Sequence, residues 1–110
     1  MPKYALFFKA KGETFAAMMD RPSDRAAALR KLVEAAGGKI ESYYWMFGQF
    51  DGMAILDMPD ARTVGACSIA IASTGAFGGI ETHELIAPAD LGGMVARAKE
   101  LRANYTPPGK

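Results

Sequence analysis

Four segments of the chain combine β-branched, aromatic and other apolar residues at the spacing that is typical of β-strands. Each segment is bounded by glycine, proline or charged residues, which favour turns over a continued strand. The stretch Gly48–Gly52 lies between the second and third segments and predicts a hairpin turn. The predicted strands are Tyr4–Phe8, Ile40–Phe47, Met53–Met58 and Ile80–Ile86.

A helix between the first two strands is predicted by its two ends and by one apolar face. Ser23 is the predicted N-cap, because a hydroxyl there can accept a free backbone N–H of the first turn. Gly37-Gly38 ends the helix, since glycine adopts the left-handed cap conformation without strain. The apolar face repeats at three- and four-residue spacing and consists of Leu29, Leu32, Val33 and Ala36. A shorter helix is predicted over 13–19.

Two further helices follow the same logic. Pro59-Asp60 opens one over Ala61–Ala72, whose buried face carries Cys67, and Ser73–Gly79 is predicted to be a loop. Pro88 starts a C-terminal helix, because proline is preorganised for the first helical position. The apolar stripe of this last helix consists of Leu91, Met94, Val95, Ala98 and Leu101.

The order of these elements predicts an α+β fold. Strand, helix, two strands, helix and strand make the ferredoxin-like βαββαβ arrangement, with a four-stranded antiparallel sheet and an added C-terminal helix. Right-handed crossovers place both main helices on one face of this sheet. We expect one domain over residues 1–103 and a mobile tail over 104–110, where two prolines and a glycine follow the last helix.

Composition narrows the classes of function. The 110 residues suit a single domain, and 13 basic against 12 acidic residues argue against nucleic acid and anionic membranes as partners. The single cysteine excludes a disulfide within the chain and a metal site of paired thiolates. We expect a cytoplasmic protein without a signal peptide, a membrane span or a cofactor.

The sheet face without helices, here called the open face, is predicted to be apolar. Side chains alternate between faces along a strand, so each strand is assigned by the position of its charged residues. On this basis the open face carries Phe7, Tyr43, Trp45, Phe47, Met53, Ile55 and Leu85, with Lys9, Glu41, Asp57, Glu81 and His83 among them. Monomers seldom expose such a patch. A homodimer with sheet packed against sheet is therefore predicted.

The segments Gly37–Asp51 and Met53–Asp60, together with Met1–Tyr4 and Ser73–Ala76, resemble the GYD-domain family over roughly residues 1 to 100. The family's Gly-Tyr-Asp-like motif falls on Gly48, Phe50 and Asp51, and Phe50 stands where the family usually has tyrosine. The resemblance implies a ferredoxin-like fold of the dimeric α/β-barrel type, and it implies no particular activity.

Candidate site residues each carry a functional and a structural interpretation. His83, the only histidine, is a candidate general base beside Glu81, or a strand residue held by a hydrogen bond. Tyr43 and Trp45 would stack on a planar ligand or fill a dimer core. Asp51 and Asp57 are rim carboxylates or groups that satisfy local backbone N–H. Burial on its helix argues against Cys67 as a nucleophile.

Two hypotheses of function follow. In the first, a small dimeric barrel binds a hydrophobic or aromatic small molecule between its sheets, in contact with Phe7, Tyr43, Trp45, Met53, Asp57 and Glu81, with His83 as the candidate catalytic group. In the second, the open face packs solidly in the dimer, and the chain is a non-enzymatic interaction module. A ligand that depends on His83 would favour the first hypothesis, and a pocket-free interface would favour the second.

Overall fold

A computed structural model describes all 110 residues and confirms the predicted order of elements. Three short segments join the first two helices to each other and to the strands before and after them. A 3-10 turn at Arg102–Asn104 continues the last helix. The elements are β1 (Lys3–Ala10), α1 (Gly12–Asp20), α2 (Arg25–Ala35), β2 (Lys39–Trp45), β3 (Gly52–Asp57), α3 (Ala61–Ala72), β4 (Phe77–Glu84) and α4 (Pro88–Leu101).

The four strands form one antiparallel sheet in the order β2-β3-β1-β4. Strand β1 is therefore central, with β3 on one side and β4 on the other. This is the strand order of the ferredoxin-like arrangement, so the predicted α+β fold class is confirmed.

Several element ends differ from the sequence-based prediction, and those of β4 and α2 have a clear physical reason. Strand β4 begins at Phe77 rather than Ile80, because Phe77 and Gly79 pair with the end of β1, and it ends at Glu84. The N-cap of α2 is Asp24 rather than Ser23: the Asp24 carboxylate accepts the backbone N–H of Ala27 at 3.0 Å. A carboxylate at this position also interacts favourably with the helix dipole.

The core lies between the sheet and helices α2 and α3. Cys67 and Val64 face it from α3, and Val33 faces it from α2. Glu84, a charged residue on this face of β4, lies near the Tyr4 hydroxyl, which donates to its carboxylate at 3.5 Å. The fully or nearly fully buried cluster consists of Tyr4, Leu6, Val33, Ala54, Leu56, Met58, Val64 and Cys67.

A β-bulge at Glu41 overturns the predicted faces of β2. Ile40 pairs with Leu56 and Ser42 pairs with Ile55, so Glu41 is an extra residue in the ladder. An extra residue shifts every later side chain to the other face. Tyr43 and Trp45 were predicted on the open face and lie instead on the helix side, while Tyr44, which pairs with Met53, lies on the open face.

Helix α4 extends away from the rest of the molecule. Every α4 residue is exposed, and the only element with which the helix makes more than slight contact is the 3-10 turn that continues it. The Cα radius of gyration is 17.8 Å, whereas a compact chain of this length has about 13 Å. The molecule is consequently 58 Å long but only 22 Å thick. None of the helices combines the length and apolar character needed to span a membrane.

Candidate functional site

A large apolar cavity lies on the helix side of the sheet, between α1, α2, α3 and the ends of the strands. Its volume is about 540 Å³, within the range that binds small molecules. Fifteen of its twenty lining residues are hydrophobic, among them Met18 from α1, Leu29 from α2 and Ile71 from α3. We call this space the aromatic cavity, because its sheet wall is made of aromatic rings.

Four rings form that wall, and Phe8 lies at their centre. Its ring centroid is 5.7 Å from Tyr43, 5.6 Å from Trp45 and 5.6 Å from Phe77. Trp45 also contacts Phe15 of α1 at 6.4 Å. Tilted and edge-to-face contacts at these distances are favourable. They hold the rings in place while Trp45 keeps 38% of its surface exposed, and this exposed part is available to stack on a planar ligand.

The Tyr43 hydroxyl is a polar group without a protein hydrogen-bond partner in this wall, although the residue is half-buried. Burial raises the pKa of Tyr43 to about 12, because the phenolate would lose its hydration. The positive charge of Arg25 opposes this shift in pKa, and the negative charge of Asp24 adds to it. At neutral pH the hydroxyl is therefore protonated and can donate a hydrogen bond to a ligand.

A second, shallower concavity of about 430 Å³ lies on the open face. His83 lies there with its Nε2 3.2 Å from a carboxylate oxygen of Glu81, and its ring meets Phe7 edge-on at 5.8 Å. Both side chains of the His83–Glu81 pair are about half exposed. The hairpin loop 46–50 forms the opposite wall, where Phe50 packs on Phe7 at 5.7 Å.

The residues of the Gly-Tyr-Asp-like motif hold the hairpin against β1. Asp51 is buried and its carboxylate accepts the backbone N–H of Ala10 at 3.0 Å and Lys9 Nζ at 3.2 Å. The structural interpretation of Asp51 as an acceptor of backbone N–H thus agrees with its contacts, although the donor belongs to β1 rather than to the turn. Gly48 accepts Lys9 Nζ on its carbonyl at 3.3 Å.

Asp57 belongs to a cluster of charges at the opposite end of the open face. Lys3 Nζ lies 2.8 Å from Asp57 and 2.9 Å from Glu41. The hydrogen bond from Lys3 lowers the pKa of Asp57, and the bonds to Asp57 and Glu41 raise the pKa of Lys3. Asp57 is thus a paired carboxylate, and the cap of the following helix is Asp60, which accepts the N–H of Thr63 at 2.8 Å.

The structure therefore separates residues that the sequence placed together. Phe7, Met53, Asp57, Glu81 and His83 lie on the open face, as predicted. The sheet itself stands between them and the wall of Tyr43 and Trp45. Cys67 is buried on α3 as predicted, and burial raises the pKa of its thiol. The chain has no group of three or more His, Cys, Asp and Glu side chains arranged to hold a metal ion.

Sequence reasoning missed the residues that complete the aromatic cavity. The sequence did not indicate that Ala17 and Met18 of α1, Arg21 after it and Arg25 at the start of α2 line this space, or that Phe15 contacts Trp45. One signal was available: α1 carries Phe15, Met18 and Met19 at helical spacing, more apolar surface than a short connecting helix needs.

Comparison with known proteins gives a family match and a structural relative. A family model described as GYD domain matches residues 4–95. A crystal structure of a protein of unknown function from Nitrosomonas europaea is 24% identical in sequence, with a TM-score of 0.40. That match covers 79% of this chain and 92% of the other chain. No curated protein matches the chain.

Proposed function

The chain belongs to the GYD domain family, and on that premise we propose that it binds a small apolar or aromatic molecule in the aromatic cavity. The observation that carries this proposal is the cavity of about 540 Å³ with a wall of four aromatic rings. The sequence had placed such a ligand between paired sheets. Because Tyr43 and Trp45 lie on the helix side, the ligand is assigned to that side instead.

The aromatic cavity suits such a ligand better than the concavity on the open face. Its lining comes from three helices and from strands β1, β2 and β4, so the apolar part of a ligand there would be removed from water on several sides. The open-face concavity has only four hydrophobic lining residues, and its one carboxylate, Glu81, already contacts His83. A catalytic role for His83 stays a prediction, and the sheet separates it from this ligand site.

The test uses N-phenyl-1-naphthylamine, a neutral apolar probe whose fluorescence rises when it leaves water. We expect saturable binding, with energy transfer from Trp45, the only tryptophan of the chain. Ala17 lines the cavity, so Ala17→Phe fills part of it and should weaken binding about tenfold or more. Its neighbour Ala16 is exposed and does not line the cavity.

Ala16→Phe is consequently the matched control and should bind the probe like the original protein. Binding that is equal in the two variants, or an unsaturable signal in the original protein, would contradict the proposal. Circular dichroism melting of both variants separates a filled cavity from a lost fold.

A second proposal concerns assembly: the open face and the stripe of α4 are covered by a second copy of the chain. The stripe is exposed, with Leu91, Met94 and Val95 each about half accessible or more. Helix α4 also contains Gly92 and Gly93, which cost about 1 kcal/mol each relative to alanine. An isolated helix of 14 residues is marginal in water even without glycine, so packing is needed to hold it.

The available area fits this assignment. Four strands of six to eight residues present a face of about 450 Å². One side of α4 adds about 200 Å². Covering both on two copies involves about 1,300 Å², within the range of stable interfaces. The charges at both ends of the open face are already paired within the chain, so their burial leaves no carboxylate without a partner.

Light scattering after size exclusion measures this assembly. We expect twice the chain mass of 11.8 kDa for the original protein and a monomer for Val95→Glu and for Ile55→Lys. Ala96 lies on the opposite side of α4, so Ala96→Glu should remain paired. A monomeric original protein, or a paired Val95→Glu variant, would exclude this interface.

A further inference from the structure

The charged side chains that line the aromatic cavity are all positive. Arg21 and Arg25 lie at its edge, and no Asp or Glu side chain is among its twenty lining residues. The chain as a whole is almost neutral, with 13 basic and 12 acidic residues. Among the residues that line this cavity, positive charge is therefore in excess, and the Asp24 carboxylate acts on Tyr43 from outside the lining.

Neither arginine is engaged by a carboxylate. Lys3, Lys9 and Arg97 each lie within 3.2 Å of an acidic side chain, whereas Arg21 and Arg25 have no such partner within 4 Å. The Arg25 guanidinium donates only to the Ser23 hydroxyl, at 3.1 Å. The carboxylate of the neighbouring Asp24 accepts the backbone N–H of Ala27 as the cap of α2. Five donors on each guanidinium are thus almost all free for a ligand.

The cavity also presents neutral hydrogen-bond donors beside its apolar wall. The Tyr43 hydroxyl has no protein partner, and Ser23 lies beside Arg25 on the lining. A carboxylate held by an arginine fork and a hydroxyl makes charge-assisted hydrogen bonds, which are roughly twice as strong as neutral ones. An uncharged apolar ligand would leave these donors with water as their only hydrogen-bond acceptor.

We propose that the ligand of the aromatic cavity is an amphipathic anion, an aromatic or alkyl carboxylate whose charge lies at Arg21 and Arg25 and whose apolar part lies against Trp45. This inference rests on the proposed function and specifies the chemical class of the ligand. The size of the cavity agrees with this proposal, because about 540 Å³ is more volume than a fused two-ring carboxylate needs.

A matched pair of ligands tests the charge preference by titration calorimetry. The anion 2-naphthoate and the neutral alcohol 2-naphthalenemethanol share one ring system and differ in the polar group. We expect 2-naphthoate to bind about tenfold tighter or more. Hydrogen bonds that involve a charged group are stronger than neutral ones by enough free energy to change an affinity about tenfold. Added salt should reduce that difference, since the arginines lie near the surface.

Arg25→Gln keeps a hydrogen-bond donor and removes the charge, so it should bring 2-naphthoate close to the affinity of the alcohol. Arg21 is exposed, so Arg21→Gln should act in the same direction with less risk to the fold, and it serves if Arg25→Gln unfolds. Arg30→Gln is the control, because Arg30 is on α2 but does not line the cavity, and it should change neither affinity.

Equal affinity of the two naphthalene ligands, or a preference for 2-naphthoate that survives both Arg21→Gln and Arg25→Gln, would overturn the inference. If N-phenyl-1-naphthylamine binds and 2-naphthoate does not, the inference about the anion is also overturned, but the proposed function stands. If none of the three probes binds, the proposed function itself fails.

Discussion

The two faces of the sheet differ in whether their polar groups have partners within the chain. On the open face nearly every charge has a partner within the chain: Lys3 with Asp57, Lys9 with Asp51, and His83 with Glu81. On the helix face, the arginines at the aromatic cavity and the Tyr43 hydroxyl have no such partner. Charges that are paired within the chain cost less to bury than unpaired ones, whereas free donors in an apolar cavity favour a ligand that supplies acceptors.

The largest difference between the faces should appear when neighbouring residues of β3 are truncated. Leu56 is 1% exposed in the core, so Leu56→Ala should lower the free energy of unfolding by about 2–5 kcal/mol. Ile55 lies on the open face and is partly exposed, so Ile55→Ala should cost about 1 kcal/mol in dilute solution. Chemical denaturation measures both, and similar losses would contradict the assignment of faces.

A substitution at Gly52 tests how tightly the helix face of the sheet is packed around Phe8. A Cβ at Gly52 would overlap the Phe8 ring, so Gly52→Ala should lower stability by about 1–3 kcal/mol and disturb the aromatic wall. A Cβ at Gly48 meets nothing within 4 Å, and Gly48→Ala should stay within about 0.5 kcal/mol of the original protein. A neutral Gly52→Ala would mean that Phe8 moves without cost.

Asp51 links the hairpin to β1 on the open face. Asp51→Ala leaves the buried N–H of Ala10 without its acceptor, and we expect a loss of about 1–3 kcal/mol in denaturant unfolding. Glu81 is exposed on the same face, and Glu81→Ala should change stability by less than about 0.5 kcal/mol. If the two variants unfold alike, the hydrogen bond to Ala10 contributes little.

The smallest effect concerns acid sensitivity at the Lys3–Asp57 pair. The folded-state pKa of Asp57 lies below its ordinary value of 3.8, so its stabilisation is present above that pH and is lost as the pH falls through the folded pKa. The melting temperature of Asp57→Asn should therefore decline less between about pH 5 and pH 2 than that of the original protein. Parallel curves would show that the pair contributes nothing measurable.

Much of the fold could be predicted from local signals. The strands, the two main helices and their order follow from periodicity and turn residues, and the open-face positions of β1, β3 and β4 were correct. These strands alternate regularly over the predicted ranges, so the position of one charged residue fixes the rest. The face of β2 was wrong because the bulge at Glu41 has no signature of its own: nothing in Ile40-Glu41-Ser42 marks an extra residue.

The candidate site was harder to predict than the fold for the same reason. The aromatic cavity depends on β2 after the bulge and on how α1 and α2 are placed over the sheet, which no local pattern encodes. The buried role of Asp51 was partly foreseen, since turn aspartates often accept backbone N–H, but its donor lies 41 residues away along the chain. Long-range contacts of this kind come from topology rather than from neighbouring residues.

The bulge also means that β2 has two possible arrangements, which differ in whether Glu41 is part of the ladder. With Glu41 outside the ladder, Tyr43 and Trp45 face the helices. If Glu41 entered the ladder, regular alternation would turn both rings to the open surface and bring Tyr44 among the helices. Deleting Glu41 would remove this second arrangement and leave Tyr43 and Trp45 facing the helices, because the pairing after the bulge would not change. A relative that lacks this one residue would therefore be expected to keep the same wall of rings.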